Sequence, residues 1–306
     1  MRTTWAAGAA DHAVRPRGAS PLRGGLFAQA VGRFGGHPTG RLGLAIVGAY
    51  VLVTVAAPWI VPIDPLVMAR GQELAVPSRA HLLGTDEFGR DILSRTVYGV
   101  RVSLLVGTLA VLLGGVPGVL SGLVSGYIGG RFDATLMRLW DGLLAFPTIL
   151  LAIALATVLG AGPLNAGIAL GMVGLPQFSR IARASVLVER EQEYVLAARA
   201  SGALGARIMG RHILPNVLAP VLVQVTLAMG YAVLLEAGLS FLGLGVQPPD
   251  PSLGGMLNSS RKYLYQASWY AVFPGATITG LLLGLNWVSE ALAEILDPRA
   301  TGRAAA

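Results

Sequence analysis

EYVLAARASGALGARIMGRHILPN, residues 193–216, interrupts a chain otherwise made of long apolar runs. Between Ser179 and Pro215 the chain places six Arg and three Glu, namely Glu189, Glu191 and Glu193. A charged side chain at the middle of a bilayer costs about 2.5–3.5 kcal/mol, so this stretch does not span a membrane. Glu189 to Ser201 is helix-permissive, and Gly202 is placed as a left-handed cap. A second short helix is expected from Leu204 to His212, and Pro215 punctuates the entry into the next apolar run. Tyr194, Ala197, Ala198 and Ser201 fall at i, i+3, i+4 and i+7, one aromatic over a stripe of small residues. Such a surface reads in two ways: a place where another protein's backbone approaches closely, or a helical loop packed on its own chain.

The rest of the chain says what this loop is attached to. Of its 306 residues 54% are hydrophobic and 13% charged, against about 25% charged in soluble domains. Leu42–Ile63, Val102–Gly130 and an uncharged run from Gly142 to Ser179 are long enough to cross a bilayer. GAGPLNAG at 160–167 divides the last of these into spans near 142–160 and from 164. Two more are expected at 217–239 and 270–289, giving an all-α, polytopic membrane protein of six spans with both termini on one side. With the N-terminus inside, sixteen of the 23 basic residues lie on inner segments, which fits the positive-inside rule and two cytoplasmic termini. Residues 1–40, rich in Gly, Ala, Arg and Pro, read as a disordered cytoplasmic tail. VAA at 55–57 before Pro58 has the look of a signal cleavage site, but about 40 residues precede the apolar stretch, unlike a secretory leader.

Chemistry of other kinds finds little support. There is no Cys, the histidines His12, His37, His81 and His212 are scattered, and no GxxxxGK[ST] is present. The basic residues fall between apolar runs rather than on one face, so no nucleic-acid partner is expected. No catalytic residue, metal site or cofactor is expected on this chain, and isolated serines such as Ser240 lack a histidine base. The glycines Gly107, Gly114, Gly118, Gly122 and Gly126 suit close helix packing. Glu236, in VLLEAGLSF, is an intramembrane carboxylate and so a candidate for the solute path, or for a polar contact between subunits. In GTDEFGRDILSR (84–95), Thr85, Asp86 and Glu87 favour a helix N-terminus, and Asp91 with Arg95 makes an i,i+4 pair. That segment, with Asp86, Arg90, Asp91 and Arg95, reads as an outer-face contact for a partner or as a structural clip.

Three separated stretches carry a resemblance. YVLAARASGA followed by RHILPN looks like the cytoplasmic coupling motif of ABC importer permeases. PSRAHLLGTDEFGRDILSRTVYGVRVSLLVG (77–107) and LSFLGLGVQPPDPSLGGML (239–257) resemble the C-type permease of the dipeptide, oligopeptide and nickel transporters, and LDPR (296–299) resembles its ending. The resemblance covers about residues 40–300 and implies the type I ABC importer permease fold. The chain then divides into the tail, a first span with its outer segment (41–101), a five-helix core (102–296) with coupling loop 189–215, and a short C-terminal tail (297–306).

The resemblance further implies a non-enzymatic subunit of a bacterial inner membrane, carrying peptides or, alternatively, nickel or other small solutes. Its partners would be a homologous permease, two ATPase subunits that bind the ATP, and an external solute-binding protein. In that role Tyr194, Ala197, Ala198, Arg199, Gly202, Ala203, Arg211, His212, Leu214 and Pro215 belong to the ATPase-coupling element. One departure is that Leu196 stands where the general motif has Glu before the paired alanines, so no Glu contact is expected there. A rival from another class is an ion-driven secondary transporter, which needs midplane ionisable groups; only Glu236 qualifies. A scaffold protein is a third reading and predicts partner binding without solute flux.

Overall fold

The computed structural model describes residues 34, 36–61 and 63–296. Of the expected tails, 1–40 and 297–306, residues 1–33, 35 and 297–306, and with them the LDPR ending beyond Leu296, lie outside the described residues, whereas Pro38–Gly40 belong to the first helix and not to a disordered tail. The described chain is helical, in the order α1 (Pro38–Val55), α2 (Ala57–Ile60), α3 (Ile92–Ile128), α4 (Gly130–Leu144), α5 (Thr148–Leu159) and α6 (Pro163–Glu189). There follow α7 (Glu193–Ala200), α8 (Gly205–Ile208), a π-helical turn at Met209–Ile213, α9 (Leu214–Phe241), α10 (Leu253–Ser260) and α11 (Trp269–Leu296).

The bundle is built around α3 and α6, and glycine makes that possible. On α3 a Cβ at Gly114 would lie 2.4 Å from the Gly171 carbonyl oxygen, and one at Gly122 would lie 2.2 Å from that of Ser179. At Gly118 and Gly126 the nearest atoms would be 2.7 and 2.9 Å away, again on α6. Four glycines spaced by four residues thus form a ladder on which the second helix rests, as their spacing predicts. At the edge of the bundle α1 packs on α11, where Gly43 meets the Gly284 carbonyl and the His37 ring lies 2.5 Å from Glu294.

Among the described residues four helices are long and apolar enough to cross a membrane: α1, α3, α9 extended back to Gly205, and α11. The pair α4 and α5 adds a fifth if its 89° bend lies within one crossing. The span expected over 142–160 is therefore a broken one, with α4 polar on one side and α5 only 12 residues long. The fourth expected crossing, from 164, is α6 and is 27 residues long. It falls short of the others in apolar character because it carries Asn165, Gln177, Arg180 and Arg183. A helix packed against α3, α5 and α9 meets protein on several sides and need not be apolar all round.

The outer-face segment corrects two expectations. Thr85, Asp86 and Glu87 do not open a helix; α3 starts at Ile92, with the Asp91 carboxylate accepting from the Ser94 amide at 2.8 Å. Nor do Asp91 and Arg95 pair. Asp91 accepts from His81 at 3.0 Å, while Arg95 lies 3.4 Å from Asp86 and donates to the Pro65 carbonyl at 2.9 Å. Asp86 also accepts from the Arg90 guanidinium at 2.6 Å. Asp86, Arg90, Asp91 and Arg95 are all buried, with Asp86 at 0% exposure, and are held by partners within this chain as a clip. The clip joins two of the quoted stretches, since Arg95 also reaches the Pro249 carbonyl at 3.4 Å.

Candidate functional site

Helices α6 and α9 end together at one side of the bundle, and the loop between them folds into a projecting element. Gln192 starts α7, whose axis continues for eight residues before Gly202 turns the chain at φ +77°. The Gly202 amide donates to Arg199 O at 3.0 Å and the Ala203 amide to Ala198 O at 3.1 Å, closing the helix with the left-handed glycine its position predicts. Nothing lies within 4 Å of a Cβ at Gly202, so glycine is required there by backbone conformation and not by crowding.

One face of α7 anchors the element. Val195 is wholly buried with Ile208, Ile213, Val217, Val186 and Leu123, and Ala198 and Ala203 pack against the same cluster. The opposite face is open: Leu196, Ala197, Arg199, Ala200 and Ser201 are exposed, and Leu204 stands 77% exposed beyond the turn. The stripe of Tyr194, Ala197, Ala198 and Ser201 is therefore divided, with Ala198 turned inward. The same loop thus exposes two leucines, Leu196 and Leu204, along with Arg199, Arg207 and Arg211.

A polar knot ties the start of the loop to its end. The Tyr194 hydroxyl donates to the Glu189 carboxylate, and the Asn216 amide donates to the Tyr194 oxygen at 2.8 Å and to His212 O at 3.1 Å. Partial burial and the Glu189 carboxylate push the Tyr194 hydroxyl up to about 12. The Tyr194 and His212 rings lie 6.4 Å apart, so two residues expected to act at the coupling element do meet. Leu214 and Pro215 open α9 itself. Glu189 stands in the sequence reading as the first residue of the coupling loop, without a partner; Asn216 and Tyr127, over whose ring Arg199 lies at 5.7 Å, were assigned no role there. Asn216 was visible as the last letter of RHILPN; Tyr127 carries no local signal.

Continuity between the loop and a span is the second feature. From Gly205 to Phe241 the chain is helical throughout, α8 passing through the π turn at Met209–Ile213 into α9. One helical rod thus links the projecting element to the middle of the bundle.

At the far end of that rod, Glu236 is fully buried. Its carboxyl accepts from the Ser103 hydroxyl at 2.6 Å and from Ser240 at 2.8 Å. It clamps α9 to α3, so within this chain it faces two serines and not an open path.

The profile of the binding-protein-dependent transport system inner membrane component matches residues 118–302, more than half of the chain and all of this element. The chain belongs to that family. It is 43% identical over 258 residues to the dipeptide transport system permease protein DppC of Alkalihalophilus pseudofirmus, with 84% of this chain and 85% of that protein covered. The DppC of Escherichia coli (strain K12) is 44% identical over 264 residues, 84% of this chain and 88% of that one. The probable D,D-dipeptide transport system permease protein DdpC of the same strain is 38% identical over 291 residues, 95% and 97%.

Among solved structures, inward-facing conformations of the MetNI methionine ABC transporter share the fold, with a TM-score of 0.57 at 17% identity. The overlap spans 67% of this chain and 98% of that one. The inner-membrane component is thus a multi-pass membrane protein with the type I ABC permease fold, the fold that the quoted motifs imply. Its family membership carries, in general terms, a partner permease and ATPase subunits.

Proposed function

We propose that the chain is the transmembrane permease subunit of an ATP-driven importer of di- or oligopeptides, coupled to its ATPases through residues 189–215. The observation that carries the coupling role is the projecting helix α7, anchored by Val195 and presenting Leu196 and Ala197 outward, with Leu204 exposed just beyond its closing turn. Exposed leucines on a charged, non-spanning loop are what a protein groove covers. The peptide class is supported by the relatives, whose names are those of dipeptide permeases.

In this reading the spans number six, both termini face the cytoplasm, and the assembly holds a homologous permease, two ATPases and an external binding protein. The chain itself holds no catalytic residue, metal or cofactor; ATP is bound by its partners. Closure of the ATPases moves α7, and the continuous helix from Gly205 to Phe241 converts that shift into movement of α9. The Tyr194–Asn216 hydrogen bond keeps α7 and the rod in one body.

The test is reconstitution with the permease and ATPase partners, followed by ATP hydrolysis with and without peptide-loaded binding protein. Stimulation in the wild type and its loss in an inserted Gly202→Asp variant are the expected outcomes. A complete assembly that never hydrolyses ATP, or normal uptake by Gly202→Asp, would overturn the reading.

A further inference from the structure

Polar side chains facing hydrocarbon are costly, and on a membrane bundle the face that carries them tells which surface lipid does not touch. The open faces of α1 carry Leu42, Leu44, Val51 and Leu52. One face of α6 and α9 differs. Gln177 on α6 is exposed, and Gln224 on α9 donates to its side-chain oxygen at 3.4 Å. Tyr231, two turns along α9 from Gln224 and on the same face, is 46% exposed. Thr148, at the start of α5, shares with Gln177 and Tyr231 a recess between α3, α5, α6 and α9.

We propose that Gln177, Gln224 and Tyr231 form this subunit's wall of the solute path and contact the peptide through its backbone amides. This rests on the importer reading above and names the residues that reading leaves open. The chemistry fits a peptide of any sequence. A primary amide offers both donors and acceptors, matching the N–H and C=O of a peptide bond, and none of the three side chains carries a charge that would select among peptide side chains.

The rise of about 1.5 Å per residue puts Gln224 roughly 15 Å from the start of α9 and Tyr231 about 10 Å further, in the interior of the span. The recess measures about 30 Å³, room for roughly one water. This chain therefore supplies one wall only, and the peptide site is completed across the partner permease. Because α9 is the rod that leaves the coupling loop, the same movement that follows ATPase closure shifts two of the three contacts.

The chain contains no Cys, so single-cysteine variants need no background replacement. Gln224→Cys, Tyr231→Cys and Leu44→Cys, each in the full assembly in liposomes, are to be treated with a charged methanethiosulfonate, with and without alanyl-alanine-loaded binding protein and ATP. Labelling of the first two, slowed several-fold during turnover, with Leu44→Cys unreactive, is the expected result. Unreactive or peptide-indifferent Gln224→Cys and Tyr231→Cys would overturn the proposal. So would peptide protection at Asn286→Cys with none at Gln224→Cys, since Asn286 lines a groove between α9 and α11 that shares Tyr231 with the recess but holds neither Gln177 nor Gln224.

Gln177→Leu and Gln224→Leu supply an independent readout. ATP hydrolysis stimulated by loaded binding protein is retained while peptide moved per ATP falls several-fold. Parallel loss of both, or unchanged uptake, would also overturn the assignment. Failure of the importer reading itself is seen earlier, as a wild-type assembly that loaded binding protein does not stimulate.

Discussion

Asn216, the third residue of α9, donates to the hydroxyl of Tyr194, the second residue of α7, at 2.8 Å across 22 residues of sequence. The same amide reaches Glu189 at 3.3 Å, so one side chain joins the end of α6, the projecting helix and the start of the rod. Tyr194→Phe removes the central hydroxyl, a loss of about 0.5–1.5 kcal/mol for a hydrogen bond. The expected outcome is faster amide exchange over residues 193–204 with the remainder of the bundle unchanged, and weaker coupling of hydrolysis to uptake. Uniform exchange would show that the knot does not hold α7.

The same hydroxyl gives a pH prediction. Its folded-state value of about 12 exceeds the ordinary 10 of a tyrosine, so the neutral form is the one favoured in the folded loop. Its contribution is fully present below about pH 10 and is lost as pH rises through about 12. Alkaline titration by ultraviolet absorbance should show a late-titrating tyrosine that is absent from Tyr194→Phe. Loss of local order in the loop should follow the same curve.

Gly202 and Gly122 make demands of different kinds. At Gly202 the space is open but φ is +77°, so Gly202→Ala costs about 1–2 kcal/mol in backbone conformation, while Gly202→Asn costs less. At Gly122 the backbone is helical, but a Cβ would lie 2.2 Å from a carbonyl oxygen on α6, which cannot step aside as a side chain does. Gly122→Ala should therefore cost about 1–3 kcal/mol through separation of α3 and α6. Gly48→Ala on α1, where nothing lies within 4 Å, should be neutral or stabilising by about 0.5–1 kcal/mol. Thermal midpoints in detergent rank the three alanine substitutions, with Gly202→Asn above Gly202→Ala.

What the sequence made legible follows from the range of the interactions. The α3 glycine ladder and the turn at Gly202 were visible because both are set by local spacing. The start of α7 was not. Arg190 donates to the Gly126 carbonyl at 2.8 Å, and Gln192 begins a new helix, so a run that reads as continuous from Glu189 is broken by a partner 64 residues away. Arg95 was matched to Asp91 because i,i+4 is the nearest acid, yet carbonyls at Pro65 and Pro249 and the Asp86 carboxylate hold it. The bend between α4 and α5 was hidden because Phe146 and Pro147 stand within an uncharged run.

Glu236 decides between a clamp and a solute contact. With no exposure and hydroxyl partners at 2.6 and 2.8 Å on Ser103 and Ser240, it satisfies its oxygens within the chain. Glu236→Gln keeps an acceptor oxygen for Ser103 and should retain insertion and peptide uptake close to wild type. Glu236→Leu leaves the Ser103 and Ser240 hydroxyls to find new acceptors, and in membrane bundles such interhelical bonds are worth about 0.6 kcal/mol on average and up to about 1.7. A double-mutant cycle with Ser103→Ala separates the roles. A coupling energy near that range in thermal midpoints, with uptake following stability, marks a clamp between α3 and α9. A peptide-selective change in KM for Glu236→Gln with no change in midpoint would instead make the carboxylate a solute contact exposed when the rod moves.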